Sequence, residues 1–264
     1  MIRVGVAGIG LCGAGLAGWH ASRAMLAGNA PFVPADIALP APTLLSPTER
    51  RRAGPVTRLA LTVAQEASAM SGLDPASLRS VFASSNGDGL VVGGILDALS
   101  RPDGFVSPTQ FHNSVHNAAA GYWSIGVASA QPATVLGCHD WSFAAGLLKA
   151  AAEAVAEHAP VLLAVYDVPL TPPMSGKRPM ASAFGVALVL VPDATGHPAL
   201  DVAFDCEPSA DSAPDLASLA ALANTNPAAR SLCLLQALAR NAARDLTLSY
   251  LDGHLAARLS PCST

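Results

Sequence analysis

Apolar residues run almost unbroken from Ile2 to Ile9, the pattern of a strand buried on both faces. Gly8, Gly10, Gly13 and Gly15 then predict a glycine turn, with a helical stretch from about Leu16 to Leu26 behind it. Between Gly28 and Arg50 the periodicity stops: Pro31, Pro34, Pro40, Pro42 and Pro47 spell a loop, closed by Arg50-Arg51-Arg52. From Val56 the residues Leu59, Val63, Ala67 and Met70 recur at helical spacing, and Gly72 fits the position just past a helix end. A strand at Ser80 to Ser84, a turn at Ser85-Asn86-Gly87-Asp88-Gly89 and a helix at Leu90 to Leu99 follow. The same rhythm returns as a helix at Asn117 to Ala128, a strand at Thr134 to Gly137, a helix at Trp141 to His158 and a strand at Val161 to Tyr166.

Past a proline-rich loop, Ala183 to Val191 reads as a strand, as does the alternating segment Leu200 to Phe204. A helix at Pro227 to Asn241 and two short strands, Leu246 to Tyr250 and His254 to Leu259, complete the pattern. Strands interleaved with helices predict a layered α/β sandwich, and no linker composition divides residues 1–264 into more than one domain.

Composition sharpens this picture. Hydrophobic residues make up 51% and charged residues 13%, so the chain buries a large core and leaves apolar surface for a partner. A net charge of −4 offers no general field for phosphate backbones, so no nucleic-acid partner is expected. Five scattered cysteines form neither a disulfide framework nor a zinc pattern, and a reducing cytoplasm suits them. The longest apolar helical stretch, Phe143 to Ala156, carries Lys149 and Glu153 and is too short to span a bilayer, so no membrane partner is expected.

Several local motifs raise chemical readings. Gly8-Ile9-Gly10-Leu11-Cys12-Gly13 fits the glycine pattern of a dinucleotide turn, yet no strand ending in an acidic residue follows about 20 residues on, so a structural turn is the reading and no cofactor is expected. Cys138-His139-Asp140 holds three triad residue types, but neighbours on an extended chain point to opposite faces. Cys138 does lie where a strand runs into a helix N-terminus, a place that favours a thiolate; a buried, inert cysteine is the alternative. His112 and His116 could share a metal on a helix, but Pro108 and the polar residues after it predict an irregular loop, and no metal site is expected. The arginine triplet reads as a solvated loop or as a dock for an acidic carrier protein.

Several stretches together resemble the β-ketoacyl synthases, in order and spacing, over roughly Ile2 to Pro192. Val4-Gly5-Val6-Ala7-Gly8-Ile9-Gly10 with Trp19, Leu26 and Gly28 is similar to that family's first strand, glycine turn and helix. Arg58-Leu59-Ala60-Leu61 with Glu66-Ala67, Gly72-Leu73-Asp74 and Ser84 to Gly89 is similar to the following helix and glycine turn. Phe111-His112-Asn113-Ser114-Val115-His116-Asn117-Ala118-Ala119-Ala120-Gly121 resembles the Asn-x-x-x-Gly segment that precedes the nucleophile. The resemblance implies a thiolase-like α/β sandwich and places Phe111, His116 and Asn117 at a subunit interface beside an acyl channel.

Counted without gaps from Asn117, the family's nucleophile position falls on Asp140, and a carboxylate there cannot carry a thioester-linked chain. Deleting two residues after Pro132 would put Cys138 there instead, but a shortened strand would have to fit a packed core. Only 72 residues follow Pro192, a reduced C-terminal half (193–264) without the family's two histidine motifs. The resemblance therefore implies a non-catalytic subunit of the chain-length-factor type, paired as a heterodimer with a complete synthase and in reach of an acyl carrier protein. An active 3-oxoacyl synthase or acyltransferase using Cys138 is the alternative.

Overall fold

The computed structural model describes residues 1–37 and 39–262. In chain order its elements are β1 (Ile2–Gly13), β2 (Leu16–Ala17), α1 (Trp19–Leu26), α2 (Pro47–Arg52), α3 (Pro55–Ser71), β3 (Arg79–Ala83), α4 (Gly89–Leu99), α5 (Pro108–Ser114), α6 (Ala118–Gly126), β4 (Ala133–Leu136), α7 (Ser142–Ala156), β5 (Val161–Asp167), β6 (Phe184–Val191), β7 (Ala199–Asp205), α8 (Ala217–Thr225), α9 (Leu232–Arg240), β8 (Arg244–Tyr250) and β9 (Gly253–Ser260). The strands form one mixed sheet in the order β4-β3-β5-β6-β1-β7-β9-β8, with β2 hairpinned onto β1. β3, β4 and β5 run parallel, and the other pairings are antiparallel.

Each face of the sheet carries a core. On β5 the alternation is strict: Val161, Leu163 and Val165 enter one cluster, with α7 and α9, while Leu162, Ala164 and Tyr166 enter the other, with α3 and α6. On β1 the parity changes, because Val4 and Val6 share the α7 face with Ile9 and Leu11. A register shift between Val6 and Gly8 supplies the extra residue that makes this possible. Fully burying each valine or leucine of these clusters contributes roughly 1.5–3 kcal/mol.

The glycine motif corrects one expectation. Residues 8 to 13 form no turn; they continue β1, and the chain reverses at Ala14-Gly15, where Gly15 has φ +74°. Gly8 and Gly10 lie beneath α3, and a Cβ on them would stand 2.1 Å from the Ala67 carbonyl oxygen and 2.0 Å from that of Val63. These glycines let a helix backbone rest on a strand backbone. With no glycine turn opening onto a helix N-terminus there, the dinucleotide geometry does not exist.

Three helices were not expected. In α2, Ser46 caps the Glu49 N–H and Pro47 opens the first turn. In α5, which replaces the irregular loop read from Pro108, Ser107 and Gln110 form a reciprocal capping box. α8 packs on a 3-10 turn at Pro227–Ser231, which takes up the first residues of the helix expected from Pro227.

α7 is built mainly from alanine and glycine on its buried side, so it sits close to the strands and touches β1 and β3 through β8. Its far end is tied down by Glu153, which is buried and accepts from Arg79 Nε at 2.7 Å and from Lys149. Burial raises the Glu153 carboxyl, but the hydrogen bonds and charges of Lys149 and Arg79 outweigh it and hold the group below its usual range. That anchor fixes the direction in which the N-terminus of α7 points.

Candidate functional site

The parallel strands β3, β4 and β5 deliver their carboxyl ends to one edge of the molecule, the position at which α/β sheets place their sites. Ser84 and Ser85 follow β3, Gly137 and Cys138 follow β4, and Asp167 ends β5. Asp167 is buried; its Oδ1 accepts from Ser84 Oγ at 3.1 Å, from Ser85 N at 2.8 Å and from Ser85 Oγ at 2.7 Å, while its Oδ2 has no partner among the described residues. Burial pushes its carboxyl up to about 6 against the pull of those serines and of Arg178.

The sign follows from proton linkage. Between the ordinary value of 3.8 and about 6 the folded chain holds a proton that the unfolded chain has released, so this group's stabilising contribution falls as pH rises through that window. At about 1.36 kcal/mol per unit, the ionised group costs roughly 2–3 kcal/mol above pH 6. Asp167→Asn is therefore expected to be more stable than the parent at pH 7.5 and to lose that advantage near pH 4. Urea midpoints of the two proteins across this range measure it, and a constant difference would remove the assignment.

From β4 the chain passes through Gly137 and Cys138 into His139, whose φ of +51° is rare for a residue with a side chain, and then through a short 3-10 turn into α7. This is a sharp strand-to-helix elbow. Cys138 N donates to Ser142 Oγ at 3.2 Å, and Ser142 Oγ donates to the His139 carbonyl at 2.8 Å. The Cys138 thiol is half-buried, and desolvation raises it above its ordinary value, so it is a thiol and not a thiolate at neutral pH.

Asp140 faces two guanidinium groups. Arg178 Nη2 donates to its Oδ1 at 2.6 Å, and Arg230 Nη2 stands 3.7 Å from its Oδ2. His139 Nε2 touches Arg178 Nη1 as well, while its Nδ1 is 3.6 Å from Asp140 Oδ1. Arg178 comes from the loop between β5 and β6 and Arg230 from the 3-10 turn before α9, so the C-terminal part of the chain closes over the elbow. A cleft of about 340 Å³ opens there, lined in part by His139, Asp140, Lys177, Arg178, Asn224 and Arg230.

The other expected site residues divide. His116 reaches the same edge: a Cβ on Gly137 would lie 2.9 Å from its Nε2, and one on Gly87 3.3 Å from its Cδ2. Phe111 stands 69% exposed on α5, and Asn117 is exposed at the start of α6. α5 ends at Ser114, so His112 and His116 do not share a helical face; His112 meets Tyr122 edge to face. Asn113 has the structural task, donating to the Arg52 carbonyl at 2.9 Å and accepting from Tyr122 Oη at 3.1 Å.

The arginine triplet is largely engaged within its own segment. Arg50 donates to the carbonyls of Thr43 and Leu45, and Arg52 pairs with Glu49. His254 bonds the Glu207 carbonyl through Nδ1, and His197 lines a different surface cleft. Neither histidine lines the cleft at the elbow. Arg178 and Arg230, which pair with Asp140, carried no signal in the sequence, since 38 and 90 residues separate them from their partner.

Beside this edge the surface is apolar. Of α4 only Gly89 is buried, although the helix reads Gly-Leu-Val-Val-Gly-Gly-Ile-Leu-Asp-Ala-Leu. Leu96, Leu99, Phe105, Phe111 and Val115 are all exposed around α4 and α5, which pack on each other. Among the described residues β4 ends the sheet and pairs on one side alone, with β3. Among the described residues no helix is long and apolar enough to cross a membrane.

The family model described as β-ketoacyl synthase, N-terminal domain, matches residues 19–252. The chain belongs to the β-ketoacyl synthase family. The sheet with helices on both faces is accordingly the thiolase-like α/β fold expected from the sequence. Solved structures agree with this ketosynthase-like fold. One is the ketosynthase ApeO in complex with its chain length factor ApeC from Xenorhabdus doucetiae, at TM-score 0.73 and 19% identity over 98% of this chain and 100% of that one. The ishigamide ketosynthase/chain length factor matches at TM-score 0.69 and 16% identity, over all of both chains. A β-ketoacyl synthase from Burkholderia phymatum STM815 matches at 0.67 and 13%, again over all of both chains. No curated protein sequence matches the chain.

Proposed function

We propose that this chain is a non-condensing, chain-length-factor-like subunit that pairs with a complete β-ketoacyl synthase in polyketide-type acyl-chain assembly. The observation that carries the reading is the elbow. Its carboxylate, Asp140, is paired with Arg178 and Arg230, and the neighbouring Cys138 is a half-buried thiol raised by desolvation. A carboxylate bound by guanidinium is a poor nucleophile and cannot form the thioester on which condensation runs. Among the described residues His139 is the one histidine that lines the cleft, where the family's chemistry asks for groups that stabilise an enolate or an oxyanion.

The apolar face of α4 and α5 supports pairing. Side chains such as Leu96, Leu99 and Phe111 standing in water together are the mark of a surface that a partner covers. The open edge of β4 offers backbone donors and acceptors next to them. In this arrangement Phe111, His116 and Asn117 lie along the seam, and His116 joins it to the elbow. Chain-length-factor subunits stand in two of the solved assemblies that share the fold, which suits this role.

Co-expression with a full-length synthase tests the pairing directly, since the two chains are expected to co-elute on size exclusion as one heterodimeric peak. Intact mass after incubation with acyl-CoA tests the chemistry. No covalent adduct is expected on this chain; an acyl adduct lost in Cys138→Ser would instead make it a thiol-dependent enzyme, whatever the elution profile.

A further inference from the structure

We propose that the cleft over the elbow is a binding site for a dianionic phosphate group, a phosphate monoester or inorganic phosphate. Lys177, Arg178 and Arg230 line it against a single carboxylate, Asp140, in a chain whose overall charge is −4. The cleft is thus a local reversal of the molecule's field, with two positive charges in excess along its lining.

The donors are incompletely used. Arg178 Nε is buried without a hydrogen-bond partner among the described residues, which is costly for a guanidinium N–H. Arg230 stands 3.7 Å from both Asp140 and Asp211, outside hydrogen-bond range of either. Lys177 forms no ion pair among the described residues. A tetrahedral anion with three terminal oxygens can take donors from two guanidinium groups and one ammonium at once, as a flat carboxylate cannot. A monoester carries about −1.5 to −2 at neutral pH, which matches the excess in the lining; a diester supplies only half of it.

Asp140 then acts as a built-in competitor. It occupies Arg178 Nη2 in the absence of ligand and must share that donor when an anion enters. Neutralising it is expected to tighten binding, whereas removing a cation weakens it. The inference stands apart from subunit pairing, because it concerns the isolated chain and its failure would leave the co-elution result untouched.

Isothermal titration of the full chain with inorganic phosphate, glycerol phosphate, dimethyl phosphate and acetate, at matched ionic strength, is the experiment. Saturable binding of phosphate and of the monoester is expected, with the diester and acetate at least about tenfold weaker. Arg230→Gln and Lys177→Gln, both at solvent-accessible positions, are each expected to weaken phosphate about tenfold or more with unchanged circular dichroism, and Asp140→Asn to strengthen it by a similar factor. The proposal is overturned by an absence of saturable phosphate binding in both the parent and Asp140→Asn, by a diester that binds as tightly as the monoester, or by phosphate binding that neither cation variant changes.

Discussion

Gly10→Ala is expected to cost at least about 3 kcal/mol of stability, enough to leave much of the chain unfolded at 37 °C. The added methyl would fall 2.0 Å from the Val63 carbonyl oxygen, and both atoms belong to rigid backbone, one on β1 and one on α3. Relief requires α3 to lift from the sheet, which would open the core around Leu59, Val63 and Ala67. Gly121→Ala is the control. Gly121 is helical in α6 with open space around its Cα, so alanine there is expected to be neutral or stabilising by about 0.5–1 kcal/mol. Urea unfolding of both variants decides the matter: a loss below about 1 kcal/mol in Gly10→Ala would mean that the helix can slide aside.

The second large effect concerns binding. Leu96→Lys/Leu99→Lys is expected to leave the isolated chain within about 0.5 kcal/mol of the parent, because both side chains are more than half exposed. The same change places two ammonium groups in the apolar seam and is expected to weaken the synthase partner at least about 100-fold, some 2.7 kcal/mol or more. Surface plasmon resonance against the immobilised synthase measures it. Unchanged affinity would move the interface off α4.

Much of this architecture was legible before any coordinates, and the pieces that were not share a cause. α3 announced itself through Leu59, Val63 and Ala67 with Gly72 behind them, and Gly72 indeed takes the left-handed cap at φ +69°. β5 and β6 were equally plain, since a strand buried on both faces shows as an unbroken apolar run. The glycines of β1 misled because a turn and a close helix contact ask for the same residue, and only the chain opposite tells which applies. α2 and α5 hid behind prolines that break a helix in its interior but open one at its first turn. At the site, the elbow and its two contenders, Cys138 and Asp140, were visible as a strand running into a helix. The arginines that pair with Asp140 were invisible, because contacts made across the fold leave no periodic trace.

β1 takes Leu200 and Val202 of β7 as neighbours near its start and Phe184 to Leu188 of β6 along its far end. Among the described residues its one further strand partner is the two-residue β2. During synthesis, then, this long buried strand leaves the ribosome roughly 170 residues ahead of the strands that flank it, a wait of about 10 to 35 s at typical elongation rates. Throughout that interval its sticky edges must be shielded by something else, so the nascent chain is a natural client for a holding chaperone, and its yield in a cell should depend on chaperone supply more steeply than its final stability would suggest.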